Sequence, residues 1–360
     1  MVASAVAADG PMPPPEPAPE QLVDKHGGVR FGVYDTPLRR VGLADARWNT
    51  EWGFEAPRLL RNTRLKRWQH FCILHPEALI TLAIVDTGYL KTTWVQFIDL
   101  RGGLRVEHHH QVPRADVGIA DALWDDRTWF RKPGYTIAIR NHLDAGKHTL
   151  KLELAEDRRK GLPAIHGELR ALHRLGPDGI QPLVVALPLQ QERAMYSHKV
   201  PLPLEGQLTI GRRCLRFDPA TCEAILDVHA AHYPRHTWWR WATFAGRTTK
   251  GQRVGLNLTR NIVKSETLNE NALWLDGRFE RLDAALFERD GDRWRVGTRD
   301  SRVELTFEPL GSRSEDLNIG IVRSKFKQFY GQYGGRARFG DQDVAIEGLH
   351  GLLEDHDTKW

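Results

Sequence analysis

Short runs of apolar and β-branched residues recur along most of the chain, and almost none carries the three-to-four-residue apolar spacing of a long amphipathic helix. A chain patterned this way folds as β-sheet. Strands are expected at 79–86, 89–100, 135–141, 148–155 and 183–187 in the first half. In the second half they are expected at 207–210, 222–228, 236–244, 253–258, 293–298, 303–307 and 343–349. Arg101-Gly102-Gly103, Asp276-Gly277 and Asp290-Gly291-Asp292 supply turns, because glycine accepts a positive φ without a Cβ clash.

At roughly 150 residues per domain, 360 residues make about two domains. Pro188, Pro201, Pro203 and Gly206 interrupt the periodic segments and place the expected boundary between an N-terminal barrel over 22–195 and a C-terminal barrel over 196–360. Each half suits an antiparallel barrel that closes its own edges. The predicted class is therefore all-β, two tandem antiparallel barrels with few short helices. No precise internal repeat is present, so a single large sandwich stays open as an alternative. The prolines between Pro11 and Pro19 hold the start of the chain in extended backbone, and residues 1–21 are expected to form a disordered leader.

A hydrophobic share of 41% and a charged share of 27% allow a real core and exclude disorder throughout. The longest largely apolar run, 78–85, is far shorter than a membrane-spanning helix requires. Cys72, Cys214 and Cys222 have no metal-ligand spacing and imply no disulfide framework. With no basic, apolar leader, the expectation is a soluble cytoplasmic protein. The net charge of +5 comes from cations dispersed among acids, unlike the dense basic stripe of a nucleic-acid binder. One basic run stands out: Arg58, Arg61, Arg64, Lys66 and Arg67 suit either contact with phosphate or a membrane surface, or a solvated face. Phosphate-loop, zinc-helix, nucleophile-elbow and dinucleotide fingerprints are absent from the sequence.

The densest candidate chemistry lies in 227–246, D-V-H-A-A-H-Y-P-R-H-T-W-W-R-W-A-T-F-A-G. In a strand from His236 onward, alternation puts His236, Trp238 and Arg240 on one face and Thr237, Trp239 and Trp241 on the other. The first face combines a titratable ring, an aromatic wall and a cation, which suits a polar group at the end of an apolar pocket. It equally suits a Trp-rich barrel core plugged by Arg240. Asp227, His229, His232 and His236 match no compact metal motif, and no metal or cofactor is predicted. Asp227 is a candidate acid, since burial disfavours a carboxylate's charged form; a turn-forming role before Tyr233-Pro234 is the alternative. Glu354 and His356 share one face of an extended strand and form a second acid-base candidate, unless the terminus is merely surface charge. The closing Trp360 has a large apolar area to bury. Tyr233, Trp238, Trp239, Trp241 and Trp274 are the candidate ligand-binding aromatics.

Arg64-Leu-Lys-Arg-Trp68, the stretch 89–99, the segment 233–246, Gly255-Leu-Asn-Leu258, E-N-A-L-W-L-D-G at 270–277 and the ending G-L-L-E-D-H at 351–356 through Trp360 together resemble the family called domain of unknown function 2804. More remotely the chain resembles two-domain lipocalin-like proteins related to carotenoid hydratase (hydroxyneurosporene synthase), AttH and certain Diels-Alder cyclases. That resemblance implies lipocalin-like barrels and an apolar terpenoid or polyketide-like ligand. It carries no catalytic motif over to named residues. The expected function is binding of an apolar small molecule with cofactor-independent hydration, dehydration, isomerisation or cyclisation. Asp227 is expected as acid, His236 as its proton partner and Arg240 as anchor, with Glu354 and His356 in reserve. A lipid or isoprenoid carrier, and a carbohydrate-active protein using paired carboxylates, are the alternatives. Oligomeric state is left open.

Overall fold

The computed structural model describes residues 12–113, 116–263, 265, 267–318 and 323–359. Trp360 and the first part of the expected leader lie outside the described residues. The strand order splits into two antiparallel sheets, one of 14 strands and one of 9. Each curls over its own apolar core: Phe71, Ile73, Leu82 and Ile84 belong to the first, Ala242, Phe244, Leu256 and Leu353 to the second. The fold is all-β and lipocalin-like, with one short α-helix, Arg58–Arg64, among the described residues. Among these residues no helix is long and apolar enough to cross a membrane.

The two sheets do not divide the chain at residue 195. Strand Ala194–Ile210 runs unbroken through Pro201, Pro203 and Gly206, and it pairs with strand Glu223–His232 inside the first sheet. The chain crosses to the second sheet only between His232 and His236. The prolines are tolerated for a specific reason. On its far side this strand leaves Leu183 at Lys199 and meets Ala171 only at Leu204, so Pro201 and Pro203 fall in the gap where no ladder N–H is required on that edge.

Gly206, just beyond, has φ 124°, and a Cβ there would press into the carbonyl oxygen of Glu168. Gly206→Ala is expected to cost about 2 kcal/mol through backbone strain alone, read as a lower denaturant midpoint. The described part of the leader is pinned against the body. Glu16 N–H donates to Val33 O at 2.8 Å, and Pro13 O accepts from Arg281 Nη1 at 2.8 Å. Extended proline backbone retains its carbonyl acceptors, and the neighbouring strand and Arg281 use the ones available here.

Because side chains alternate along a strand, each sheet has a second face turned away from its core. These second faces meet. Cys72, Leu79, Ile98 and Ile225 of the first sheet pack on Trp241, Ala245 and Leu352 of the second. The same contact closes one side of a cavity between the sheets.

Candidate functional site

In the first sheet, strands Leu65–His75, Glu223–His232 and Ala194–Ile210 lie side by side, and their register builds two rows on the face opposite the core. One row is His70, Asp227 and Lys199; the other is Trp68, His229 and Ser197. The second sheet answers with Trp241, Glu354 and Gln328 in one row and Trp239, His356 and Phe326 in the next. Between them lies a cavity of about 250 Å³ with Trp68, Trp94, Tyr89, Tyr233, Trp239 and Trp241 among its aromatic walls. The site is therefore shared between the sheets, outside both barrel cores.

Its base is ionic. Lys199 Nζ donates to Asp227 Oδ1 at 2.8 Å and lies 3.5 Å from Glu270 Oε2, with all three side chains almost wholly buried. Trp68 Nε1 donates to Asp227 Oδ2 at 3.1 Å, and Asn261 Nδ2 to Glu270 Oε1 at 3.0 Å. Burial alone would raise the Asp227 pKa, but the Lys199 ammonium overcomes it and holds the carboxyl below its ordinary range. Reciprocally, burial works against the Lys199 charge, while Asp227 and Glu270 raise its pKa. Asp227 is an ionised carboxylate, which makes it a base or a charge stabiliser and removes it as the proton donor.

Glu354 has the opposite environment. Burial raises its pKa, and the donors Trp239 Nε1 at 2.9 Å and Gln328 Nε2 at 2.7 Å only partly offset this; the nearby Asp227 charge adds to the rise. Trp239 can only donate, whereas the Gln328 amide, whose Oε1 is buried without a partner, can turn over to accept a proton carried by Glu354.

Two histidines complete the floor. His229 stacks on Trp68 with centroids 4.0 Å apart, and its Nε2 shares a 2.7 Å hydrogen bond with Tyr233 OH. Burial pushes its pKa down to about 3, so the ring is neutral. His70, pushed by burial to about 4, stands edge-on to Trp241. Both ring nitrogens of His70 and Nδ1 of His229 are buried without a hydrogen-bond partner. His356, pushed by burial to about 3, meets Trp239 edge-on at 3.9 Å and bonds Ser324 Oγ at 3.1 Å.

Of the residues singled out from sequence, Asp227, Tyr233, Trp239, Trp241, Glu354 and His356 line this cavity. His236, Trp238 and Arg240 do not. The alternation along strand His236–Arg247 holds, but these three lie on the face whose later residues, Ala242 and Phe244, enter the second sheet's core, at the solvent-exposed start of the strand. There His236 pairs with Asp357 at 2.9 Å in solvent, and Arg240 lies 3.5 Å from Asp355 and over Trp294. His236 and Arg240 are thus placed outside the cavity that holds Asp227. Trp274 is buried in a separate cluster and donates to Gln181 O at 2.7 Å. Asp227, His229, His232 and His236 are not gathered on one centre, since His236 is exposed and His232 packs near Trp48. Lys199 was hidden from sequence reasoning by the prolines after it. The visible signal was a lysine inside the apolar run 194–202.

Residues 16–360 match the family model described as Domain of unknown function (DUF2804). The chain belongs to the DUF2804 family. No curated protein sequence matches it. Among solved structures it is similar to CghA, with a TM-score of 0.53 and 12% identity over 82% of this chain and 88% of that one. A crystal structure of CghA with Sch210972 gives a TM-score of 0.55 and 11% identity over 95% of this chain and 97% of that one. Kievitone hydratase from Nectria haematococca is also similar, at a TM-score of 0.47 and 10% identity over 81% of this chain and 88% of that one. The two CghA structures, at 11–12% identity, establish a shared fold. The DUF2804 chain presents the cavity described above within that fold.

Proposed function

We propose that this protein holds a largely apolar small molecule between its two sheets and carries out proton-transfer chemistry on it: hydration, dehydration, isomerisation or cyclisation. The observation that carries this reading is the pair of buried carboxyls in one aromatic cavity whose surroundings push them apart. Asp227 is held ionised by Lys199, and Glu354 is biased toward its protonated form by burial. Opposite environments assign opposite roles. Glu354 delivers a proton to an alkene or hydroxyl of the ligand, and the faces of Trp239, Trp241 and Trp68 attract the positive charge that develops. Asp227, fixed by Lys199 and Trp68, takes a proton from water or from a neighbouring carbon. That a protein of this fold has been crystallised with a small molecule, CghA with Sch210972, supports the same use of the fold here.

Organic extraction of freshly purified protein followed by mass spectrometry tests the binding step. A stoichiometric apolar compound is expected, and it should be lost in the Trp239→Ala/Trp241→Ala double variant. With the compound identified, Glu354→Gln is expected to keep binding it while turnover falls by about 10² to 10⁴. Turnover unchanged in Glu354→Gln removes the acid assignment. A compound that the wild-type protein binds and releases unaltered identifies a carrier instead.

A further inference from the structure

The basic run in the sequence has no part in the cavity's chemistry, yet the structure places it beside an unusual surface. Residues 49–55 form a small hairpin, bridged between Asn49 and Glu55 and closed by Thr50 N–H to Phe54 O at 2.7 Å. Its tip exposes Trp52 at 81% and Phe54 at 72%, and helix Arg58–Arg64 adds Leu59 at 77%. No other large hydrophobic side chain among the described residues is exposed to this degree. Large side chains left this bare on neighbouring elements call for a covering partner.

Charge says which partner. Next to the tip is a hollow of about 480 Å³ lined by five basic side chains, among them Lys25, Arg47, Arg58 and Arg61, against the carboxylates of Asp24 and Asp45. Arg61 Nε is buried there without a partner. Aromatic and leucine side chains flanked by cations are the combination that sits at the boundary between acyl chains and anionic headgroups.

Position supplies the third observation. The C-terminal end of the helix abuts the turn of residues 87–90: a Cβ at Gly88 would meet Asn62 O and Thr63 Cα, and Lys66 Nζ donates to both Thr63 O at 2.7 Å and Thr87 O at 2.6 Å. Thr87, Tyr89 and Leu90 of that turn line the cavity, and Tyr89 is 39% exposed. The helix that carries Leu59 and follows the hairpin is therefore seated, by its far end, on the rim of the ligand cavity.

We infer that residues 49–61 form a docking surface for an anionic lipid bilayer, with Trp52, Phe54 and Leu59 entering the acyl boundary and the cationic hollow taking lipid phosphates. This places the cavity rim at the membrane surface, where apolar compounds dissolve. The docking stands by itself; its use in loading a ligand rests on the function proposed above.

The test is flotation of the full chain with vesicles of phosphatidylcholine containing about one-third phosphatidylglycerol, compared with pure phosphatidylcholine, at low and high salt. Binding is expected only to the anionic vesicles and to weaken with salt. It should fall about tenfold in Trp52→Ser/Phe54→Ser/Leu59→Ser and again in Arg58→Glu, with the thermal midpoint unchanged because these side chains are exposed. Absence of flotation, or flotation indifferent to the triple substitution, overturns the inference. So does a lipid-free dimer that the triple substitution dissolves, which assigns the surface to a second copy. Displacement by inorganic phosphate, together with full retention in the triple variant, reduces it to a phosphate-binding hollow. None of these readouts depends on turnover, so they are separable from failure of the proposed chemistry.

Discussion

Lys199→Met is expected to destabilise the protein by about 3 to 5 kcal/mol, the cost of leaving a buried charge without its partner. The side chains of Lys199 and Asp227 are 5% and 7% exposed and bond at 2.8 Å, so neither can recover its solvation in place when the other is removed. Glu270, 3.5 Å from the same ammonium, loses a neighbour in the same step. With the attraction gone and the burial retained, Asp227 must shift from below its ordinary value of 3.8 to above it. Urea unfolding at neutral pH reads the loss, and the titration of Asp227 in the variant reads its cause. Lys199→Met/Asp227→Leu/Glu270→Gln, which removes all three buried charges, is expected to recover most of the stability, since replacing buried ionic groups by neutral ones of similar volume is often neutral. A loss under about 1 kcal/mol for Lys199→Met, the scale of an exposed pair, would contradict the buried-pair description.

Acidification is expected to produce the second large effect. Burial holds His70 near pKa 4, and His148, His198, His229, His232 and His356 near 3, all below the ordinary 6.5. A depressed histidine is neutral in the folded protein and takes up a proton on unfolding. The stability it contributes is thus complete above pH 6.5 and is lost as pH falls toward the folded value. Each of these six loses about 2 kcal/mol between pH 7 and pH 5 by linkage, and their sum of roughly 11 kcal/mol lies within the 5 to 15 kcal/mol that holds a typical domain folded. Glu354, whose pKa is raised, binds its proton more tightly when folded and offsets a small part of this decline. Urea midpoints measured at pH 7 and pH 5 should therefore fall steeply. Equal midpoints would mean that these rings are hydrated or paired.

Part of these rings' behaviour has no bearing on the cavity. His148 Nδ1 bonds Asn141 Oδ1 at 2.8 Å and its Nε2 meets His173 Nδ1 at 3.0 Å, with His198 edge-on to His173, all inside the first barrel's core. His198 and Lys199 are neighbours in sequence on opposite faces of one strand, one turned to the core and the other to the cavity.

That alternation also explains what the sequence could disclose. Strand periodicity reveals that Trp239 and Trp241 share a face and that Trp238 and Arg240 share the other, but a period of two is blind to which face meets the ligand. In a molecule whose sheets are covered on both sides near the site, hydrophobicity does not break the tie. The stretch 223–232 is buried at every position. Arg240 was attractive because a cation among tryptophans suggests an anchor, yet the cation that faces the cavity base is Lys199, in a stretch whose prolines suggest a linker. Proline excludes a strand only where its missing N–H would have had a partner, and that depends on the neighbouring strand's length, which no local pattern encodes. Glu354 and His356 were visible as a same-face pair. Their bonds to Trp239, Gln328 and Ser324 arise from cross-strand register more than 25 residues away, and only the folded sheet supplies it.

The most direct measurement is the titration of the two cavity carboxyls by infrared difference spectroscopy, using Glu354→Gln and Asp227→Asn to assign the bands. Glu354 should release its proton above the ordinary 4.5 and Asp227 below the ordinary 3.8, so that across the interval between them one carboxyl is protonated while the other is ionised. If the protonated band vanishes in Asp227→Asn and persists in Glu354→Gln, or if both groups titrate together, the division into acid and base between the two sheets is contradicted.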